Sequence, residues 1–120
     1  MINSLKVSFS EDRRLRARID PPLQALASYL EQDIQFSAEG AEQILTACAN
    51  VLRTGDEWEG SGNAFTVTSG TTSVRIECDY ATGPGSSCVL TREDFVTAVQ
   101  AWLDAIYRRM SEKYAQSLEG

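Results

Sequence analysis

Apolar and polar residues alternate at the beginning of the chain. Every second residue is apolar across 5–9, and the same alternation returns across 15–19 after a polar turn. Because successive side chains of a strand point to opposite faces, this pattern predicts two strands joined as a hairpin. The polar side of the second strand carries Arg14, Arg16 and Arg18.

The spacing of apolar residues then becomes helical. Apolar residues recur every three or four positions across 23–34, after the pair Pro21-Pro22. We expect the prolines to open this helix, because the first turn leaves unpaired the N–H that proline lacks. A second helical stripe lies between Ser37, the predicted N-cap, and Gly55, the predicted end. The two helices are expected to form an antiparallel hairpin.

Strand patterns return in the second half of the chain. The segment 56–63 is acidic and rich in glycine, and we expect it to be a loop. Alternating residues across 64–69 and 73–79 predict two strands, and a shorter strand is expected near 87–90. The apolar residues lie on one side of these strands, which predicts a sheet with one buried and one wet face.

A long helix is predicted at the end of the chain. Thr91 and Asp94 resemble a capping box in which Asp replaces the usual Glu. The apolar side of the helix runs as far as Met110, and we expect the helix to end between Ser111 and Tyr114.

The predicted elements follow one another in the order ββ-αα-βββ-α. This order predicts an α+β fold in which helices pack on one face of an antiparallel sheet of four to five strands. We expect a single α+β domain across 1–116 and a frayed tail at 117–120. We also expect the basic hairpin and the second cluster of strands to share the wet face of this sheet.

The charge of the chain is unevenly distributed. The 120 residues include 17 acids, 11 basic residues and no histidine, with a net charge of −6. Residues 20–104 contain 13 of the acids and three arginines, so this part has a net charge of −10. Such a body repels phosphate backbones and attracts basic partners. The alternative is that the acidity serves solubility alone.

The absence of histidine excludes several kinds of catalysis. Ser-His-Asp and Cys-His hydrolysis, HExxH zinc chemistry and histidine-dependent metal nucleases all need an imidazole. Glu77 and Asp79 share one strand side, but Arg75 lies beside them, and a sheet surface is not the desolvated pocket that acid–base catalysis needs. The acids at 56–59 lack EF-hand spacing. We therefore expect no catalytic residue, no cofactor and no metal site.

The cysteines and the hydropathy indicate the compartment. No apolar run approaches the ~20 residues of a membrane span and no targeting segment is visible, so we expect a cytoplasmic protein without a membrane partner. Cys48 lies on the apolar side of the second helix, where we expect it to be buried. Cys78 and Cys88 bracket a Gly-Pro-Gly loop and could form a disulfide, although cytosolic thiols normally stay reduced.

Two further features each have two interpretations. Trp58 lies among acids, where it is either an exposed anchor for a partner or a cover for the edge of the core, and we favour the core. The arginines at 14–18 would suit nucleic acid, but no aromatic residue alternates with them and the body of the chain is acidic. We expect a solvated strand side and no nucleic-acid partner.

Short motifs along nearly the whole chain resemble one family. They are Phe9 before Arg16-Ala17-Arg18-Ile19, Trp58-Glu59-Gly60 before Ala64-Phe65-Thr66-Val67, Val74-Arg75-Ile76, and Leu90 before Asp94-Phe95. With these motifs the chain resembles the YacL-like family of small acidic bacterial proteins, a resemblance that implies no catalytic residue. The chain is also similar in type, though not in motif, to the immunity proteins of contact-dependent inhibition systems, which bind a toxin through complementary charge.

These observations predict a non-enzymatic binding protein. The leading hypothesis is an immunity protein that binds and neutralises a basic toxin domain, for example a nuclease. The alternative is a housekeeping or assembly adaptor of the YacL-like type with no toxin partner. The expected partner-binding residues are Glu31, Asp33, Asp56, Glu57, Trp58, Glu59, Glu77 and Asp79.

Overall fold

The computed structural model describes residue 2 and residues 4–119, with side chains as far as residue 115. In chain order these residues form β1 (Lys6–Phe9), β2 (Leu15–Arg18), α1 (Gln24–Tyr29), a π-helical turn (Leu30–Ile34), α2 (Ala38–Thr54), β3 (Trp58–Ser61), β4 (Phe65–Ser69), β5 (Ser73–Cys78), β6 (Ser87–Thr91) and α3 (Arg92–Glu119). The predicted α+β class and the order of its helices and strand clusters are confirmed.

The strands form two separate antiparallel sheets. β1 pairs with β2, and β3, β4, β5 and β6 form a four-stranded sheet in that order. The expectation that the hairpin and the second cluster share one wet face is therefore wrong. The reason lies at β2, where the Ala17 N–H donates to a carboxylate oxygen of Glu31 at 2.8 Å. The edge of β2 that does not pair with β1 therefore forms a hydrogen bond with the π-helical turn instead of pairing with a third strand.

The helices pack on one face of the four-stranded sheet, as predicted. Val67 and Ile76 from the sheet and Phe95 and Trp102 from α3 are fully buried at this contact. Burying an apolar side chain of this size stabilises the fold by about 1.5–3 kcal/mol. The indole of Trp102 also satisfies its polar atom, since Nε1–H donates to the backbone oxygen of Gln35 at 2.7 Å.

Three of the predicted helix ends are confirmed, both ends of α2 and the start of α3. The Ser37 hydroxyl accepts the Gly40 N–H at 3.0 Å and caps α2, which ends at Gly55 with a left-handed φ of 77°. At α3 the Thr91 hydroxyl accepts the Asp94 N–H, also at 3.0 Å. These caps satisfy backbone groups that the first and last turns leave unpaired.

Two predictions about the helices are wrong. Pro21 and Pro22 lie in a turn that the Leu23 N–H closes onto the Asp20 oxygen at 3.1 Å, so α1 begins later, at Gln24. The main helical neighbour of α2 is α3, not α1. Because the two-proline turn shortens α1, its apolar side is smaller than that of the long α3. The larger apolar surface for α2 to cover is therefore that of α3.

The predicted loop at 56–63 contains an edge strand. β3 pairs with β4 with Trp58 opposite Ser69 and Gly60 opposite Val67. A glycine is needed at position 60 because the Trp58 ring lies where a Cβ would collide with it. Two glycines lower strand propensity, but pairing with β4 outweighs this local preference.

The last helix is longer than predicted. α3 continues to Glu119 instead of ending at 111–114. Beyond Met110 its side chains still have packing partners, because Lys113 lies 5.8 Å from the ring centre of Phe36. Within the described residues, no helix is long and apolar enough to cross a membrane.

Candidate functional site

The outer face of the four-stranded sheet is not covered by the helices. The strand register aligns Glu59, Thr68, Arg75 and Val89 in one row across the four strands. In the next row Glu77 follows the same outward direction, because side chains two residues apart on a strand share a face. Glu59, Arg75, Glu77 and Val89 are all exposed, and Val89 keeps 59% of its accessible surface.

Acids outnumber basic residues on this outer face. Glu57 and Glu77 line a shallow depression of about 350 Å³ together with Arg75. Arg75 lies 3.6 Å from a Glu77 oxygen, and the Thr66 hydroxyl donates to Asp79 at 2.7 Å. We call this surface the acidic face and define it by Glu57, Glu59, Glu77 and Asp79. The structure thus brings together four of the eight predicted contact residues.

Asp56 and Trp58 lie at the border between the acidic face and α2. With Glu57 they line a second groove of about 400 Å³ against the exposed side of α2. Trp58 is half-buried and packs against the core cluster with its ring over Gly60. This position favours the interpretation of Trp58 as a cover for the edge of the core.

Glu31 and Asp33 have their carboxylates engaged inside the fold. Besides the Ala17 N–H, Glu31 accepts from Arg16 at 3.3 Å. Asp33 accepts the N–H groups of Ala64 and Phe65 at 2.9 and 3.0 Å. The two acids therefore hold the hairpin and the start of β4 to the π-helical turn. Their oxygens are less available to a partner than those of the acidic face.

Sequence patterns do not reveal this role. Asp33 and Ala64 are 31 positions apart, and helical spacing assigns Asp33 only a polar position. One signal exists in retrospect: a Cβ at Gly62 would collide with the Asp33 carboxylate, so a glycine is required beside this contact.

A basic cleft lies on another side of the molecule. It has a volume of about 760 Å³ and opens between the hairpin, the π-helical turn and the second half of α3. Its charged lining consists of Arg13, Arg14, Arg16, Arg109, Lys113 and one acid, Glu31. We call it the basic cleft. The arginines of β2 and its flanks are apparent from the sequence, but their grouping with Arg109 and Lys113 is not.

Two phenylalanines lie in the basic cleft. Phe9 and Phe36 meet edge to face with ring centres 6.4 Å apart. The Arg109 guanidinium lies 5.3 Å from the Phe9 ring centre, and Lys113 contacts Phe36 in the same manner. The aromatic residues that are absent beside the arginines in sequence are thus supplied by the fold.

The cysteines are free thiols. The register places Ile76 opposite Cys88, so Cys78 is not its direct neighbour across the strands. Burial raises the pKa of the Cys48 and Cys88 thiols, which keeps them protonated and unreactive near neutral pH. The prediction that Cys48 is buried is confirmed. Among the described residues, no group of three or more cysteines and acids could hold a metal ion.

Comparison with known proteins gives no relative: no family model matches the chain, and no curated protein or solved structure matches it. The resemblance to the YacL-like family stays a prediction. The candidate sites therefore rest on the geometry described above.

Proposed function

We propose that this protein is a non-enzymatic binding protein that uses its acidic face to bind a basic protein. In its specific form, the proposal is that the partner is a toxin domain, for example a nuclease, and that the protein acts as its immunity protein. The observation that carries the proposal is the acidic face itself, a sheet surface on which the described residues place four acids, one arginine and no helix.

The charges of this face are well placed for association. Among the described residues Glu57 and Glu59 form no ion pair, so a basic partner breaks no existing pair when it binds them. An uncompensated negative surface also accelerates the encounter with a basic protein at low salt. The exposed side chain of Val89 lies in the same row as Glu59 and offers an apolar contact near the charges.

A nuclease fits this chemistry because its active surface must be basic to hold phosphate. Carboxylates aligned on a sheet can occupy such a surface in place of the nucleic acid. Removing one partner of a buried charge pair typically costs about 2–5 kcal/mol, whereas a charge at the rim changes mainly the association rate.

The test is co-expression with the product of the neighbouring gene. We expect that product to stop growth when expressed alone, and this protein to restore growth and co-purify with it. The triple variant E57K/E59K/E77K should lose about 100-fold in affinity and fail to restore growth. The control E11K/E39K/D104K changes the net charge equally at exposed sites away from the acidic face, and it should still protect.

Two outcomes would contradict the proposal. If the neighbouring product is harmless when expressed alone, it is not a toxin. A stable complex between it and this protein would then favour the adaptor alternative. If the control variant loses as much affinity as the triple variant, the interaction depends on net charge and not on the acidic face.

A further inference from the structure

The basic cleft concentrates much of the positive charge of an acidic protein. Five of the 11 basic residues of the chain line it, although the net charge is −6. They come from distant parts of the sequence, the hairpin and the second half of α3. Like charges brought this close repel one another, and this repulsion destabilises the folded protein.

Internal ion pairs neutralise the cleft only in part. Arg14 and Arg16 lie 3.7 and 3.4 Å from Asp12, and Arg109 lies 3.5 Å from Glu112. Among the side chains that the structure describes, residue 2 and residues 4–115, Arg13 and Lys113 form no ion pair with a carboxylate. The cleft therefore keeps free positive charge for an anionic ligand.

The aromatic rings add a second kind of contact. Phe9 and Phe36 remain 37% and 44% exposed inside the cleft. Exposure of apolar ring surface to water is unfavourable. A ligand with a flat aromatic part would cover the rings while its charged part contacts the positive groups. Arg109 and Lys113 lie against the rings, so positive groups and aromatic surface adjoin each other in the cleft.

We propose that the basic cleft binds a nucleotide, with its phosphates on the arginines and Lys113 and its base against the phenylalanine rings. Guanidinium groups bind phosphate through paired N–H donors, and aromatic rings stack on bases. The cleft volume of about 760 Å³ lies within the range of small-molecule sites. The side-chain amides of Gln32, Gln35 and Asn63 also line the cleft and carry the donors and acceptors that a base edge needs.

Other anions fit the cleft less well. A long nucleic acid would bring many phosphates close to a protein whose middle section has a net charge of −10. An acidic peptide would use the basic side chains but leave the rings without a matching group. A single nucleotide uses both features and reaches no farther than the cleft.

Calorimetry with ATP, inorganic triphosphate and adenosine tests the proposal. We expect ATP to bind in the presence of EDTA, because the side chains and not a metal neutralise its phosphates. ATP should bind about tenfold more tightly than triphosphate, which lacks the base, and more tightly than adenosine, which lacks the phosphates.

Three variants separate the two kinds of contact. Arg109→Ala should weaken both ATP and triphosphate by about tenfold, since it removes a phosphate ligand. Phe36→Leu should weaken ATP more than triphosphate, since it removes a ring that would contact the base and keeps most of the apolar volume, while the lost contact with Lys113 affects both ligands alike. Arg108→Ala is the matched control, because Arg108 is exposed on the same helix and does not line the cleft. Urea unfolding checks that all three variants fold.

Several results would overturn the proposal. They are no binding of ATP at about 1 mM, equal affinity for ATP and triphosphate, an equal loss in Arg108→Ala and Arg109→Ala, and displacement of ATP by polyglutamate at equal charge concentration. A ten-nucleotide oligothymidylate that binds more than about tenfold more tightly than ATP would also overturn it, by identifying single-stranded nucleic acid as the occupant.

Discussion

The acidic face and the basic cleft differ in how their charges are positioned. The acids of the face project from neighbouring strands, and the backbone register alone sets their spacing. The cleft gathers its charges from the hairpin and α3, and its walls meet at the π-helical turn. One surface therefore depends on a single sheet, whereas the other depends on contacts that hold separate elements together.

Glu31 and Asp33 make this difference testable, because each ties one region to the π-helical turn. Among the described residues, Glu57 and Glu59 of the acidic face form no ion pair, whereas the carboxylates of Glu31 and Asp33 serve as internal acceptors. Substitutions at these two positions should affect the fold much more than substitutions among the acids of the face.

The largest effect is expected for Asp33→Ala. The change leaves the N–H groups of Ala64 and Phe65 without their acceptor, and we expect a loss of about 3 kcal/mol in the free energy of unfolding. Urea denaturation measures it. Asp33→Asn keeps one acceptor oxygen and should lose about half as much. Equal stability of the wild type and Asp33→Ala would show that these bonds do not hold the two elements together.

A smaller effect is expected for Glu31→Ala, about 2 kcal/mol, because one charged hydrogen bond to Ala17 is lost and the ion pair with Arg16 is partly exposed. Hydrogen exchange should show faster exchange in β1 and β2, while β4 and β5 keep their protection. The acidic-face control Glu57→Ala should stay within about 0.5 kcal/mol of the wild type. Uniform loosening of both sheets would contradict the separation of the two regions.

The smallest effect is expected for Arg75→Glu. Arg75 is the basic residue of the acidic face, and reversing it adds repulsion with Glu77 and lowers the free energy of unfolding by about 0.5 kcal/mol. Because both side chains are exposed, about 1 M salt should remove the difference between variant and wild type. A difference that persists in high salt would mean that the face is held by something other than screened charge.

The acidic face is predictable from the sequence only in part, and the basic cleft is not. Alternation along 73–79 predicts that Glu77 and Asp79 lie on the wet side of the sheet. The side on which a strand residue lies depends only on its position along that strand, so it can be read from the sequence. The contact of Arg109 with Phe9 joins residues 100 positions apart, and no periodic pattern records which helix turn meets which strand. The strand at 58–61 is missed for a related reason. Two nearby glycines lower its local strand propensity, and its pairing with β4, which stabilises it, is not visible in the sequence.

The position of β3 at the edge of its sheet gives its acids one more consequence. An open edge can pair with the edge of another copy and begin aggregation, and charged residues on a short edge strand prevent this. Glu57 and Glu59 stand at such an edge, so the charge that would attract a basic partner also keeps copies of the protein apart. Solubility and recognition are then not alternatives for these two residues. A substitution that neutralises both residues should reduce solubility and recognition together. A reversal to lysine should reduce recognition alone, because it keeps a charge at the edge.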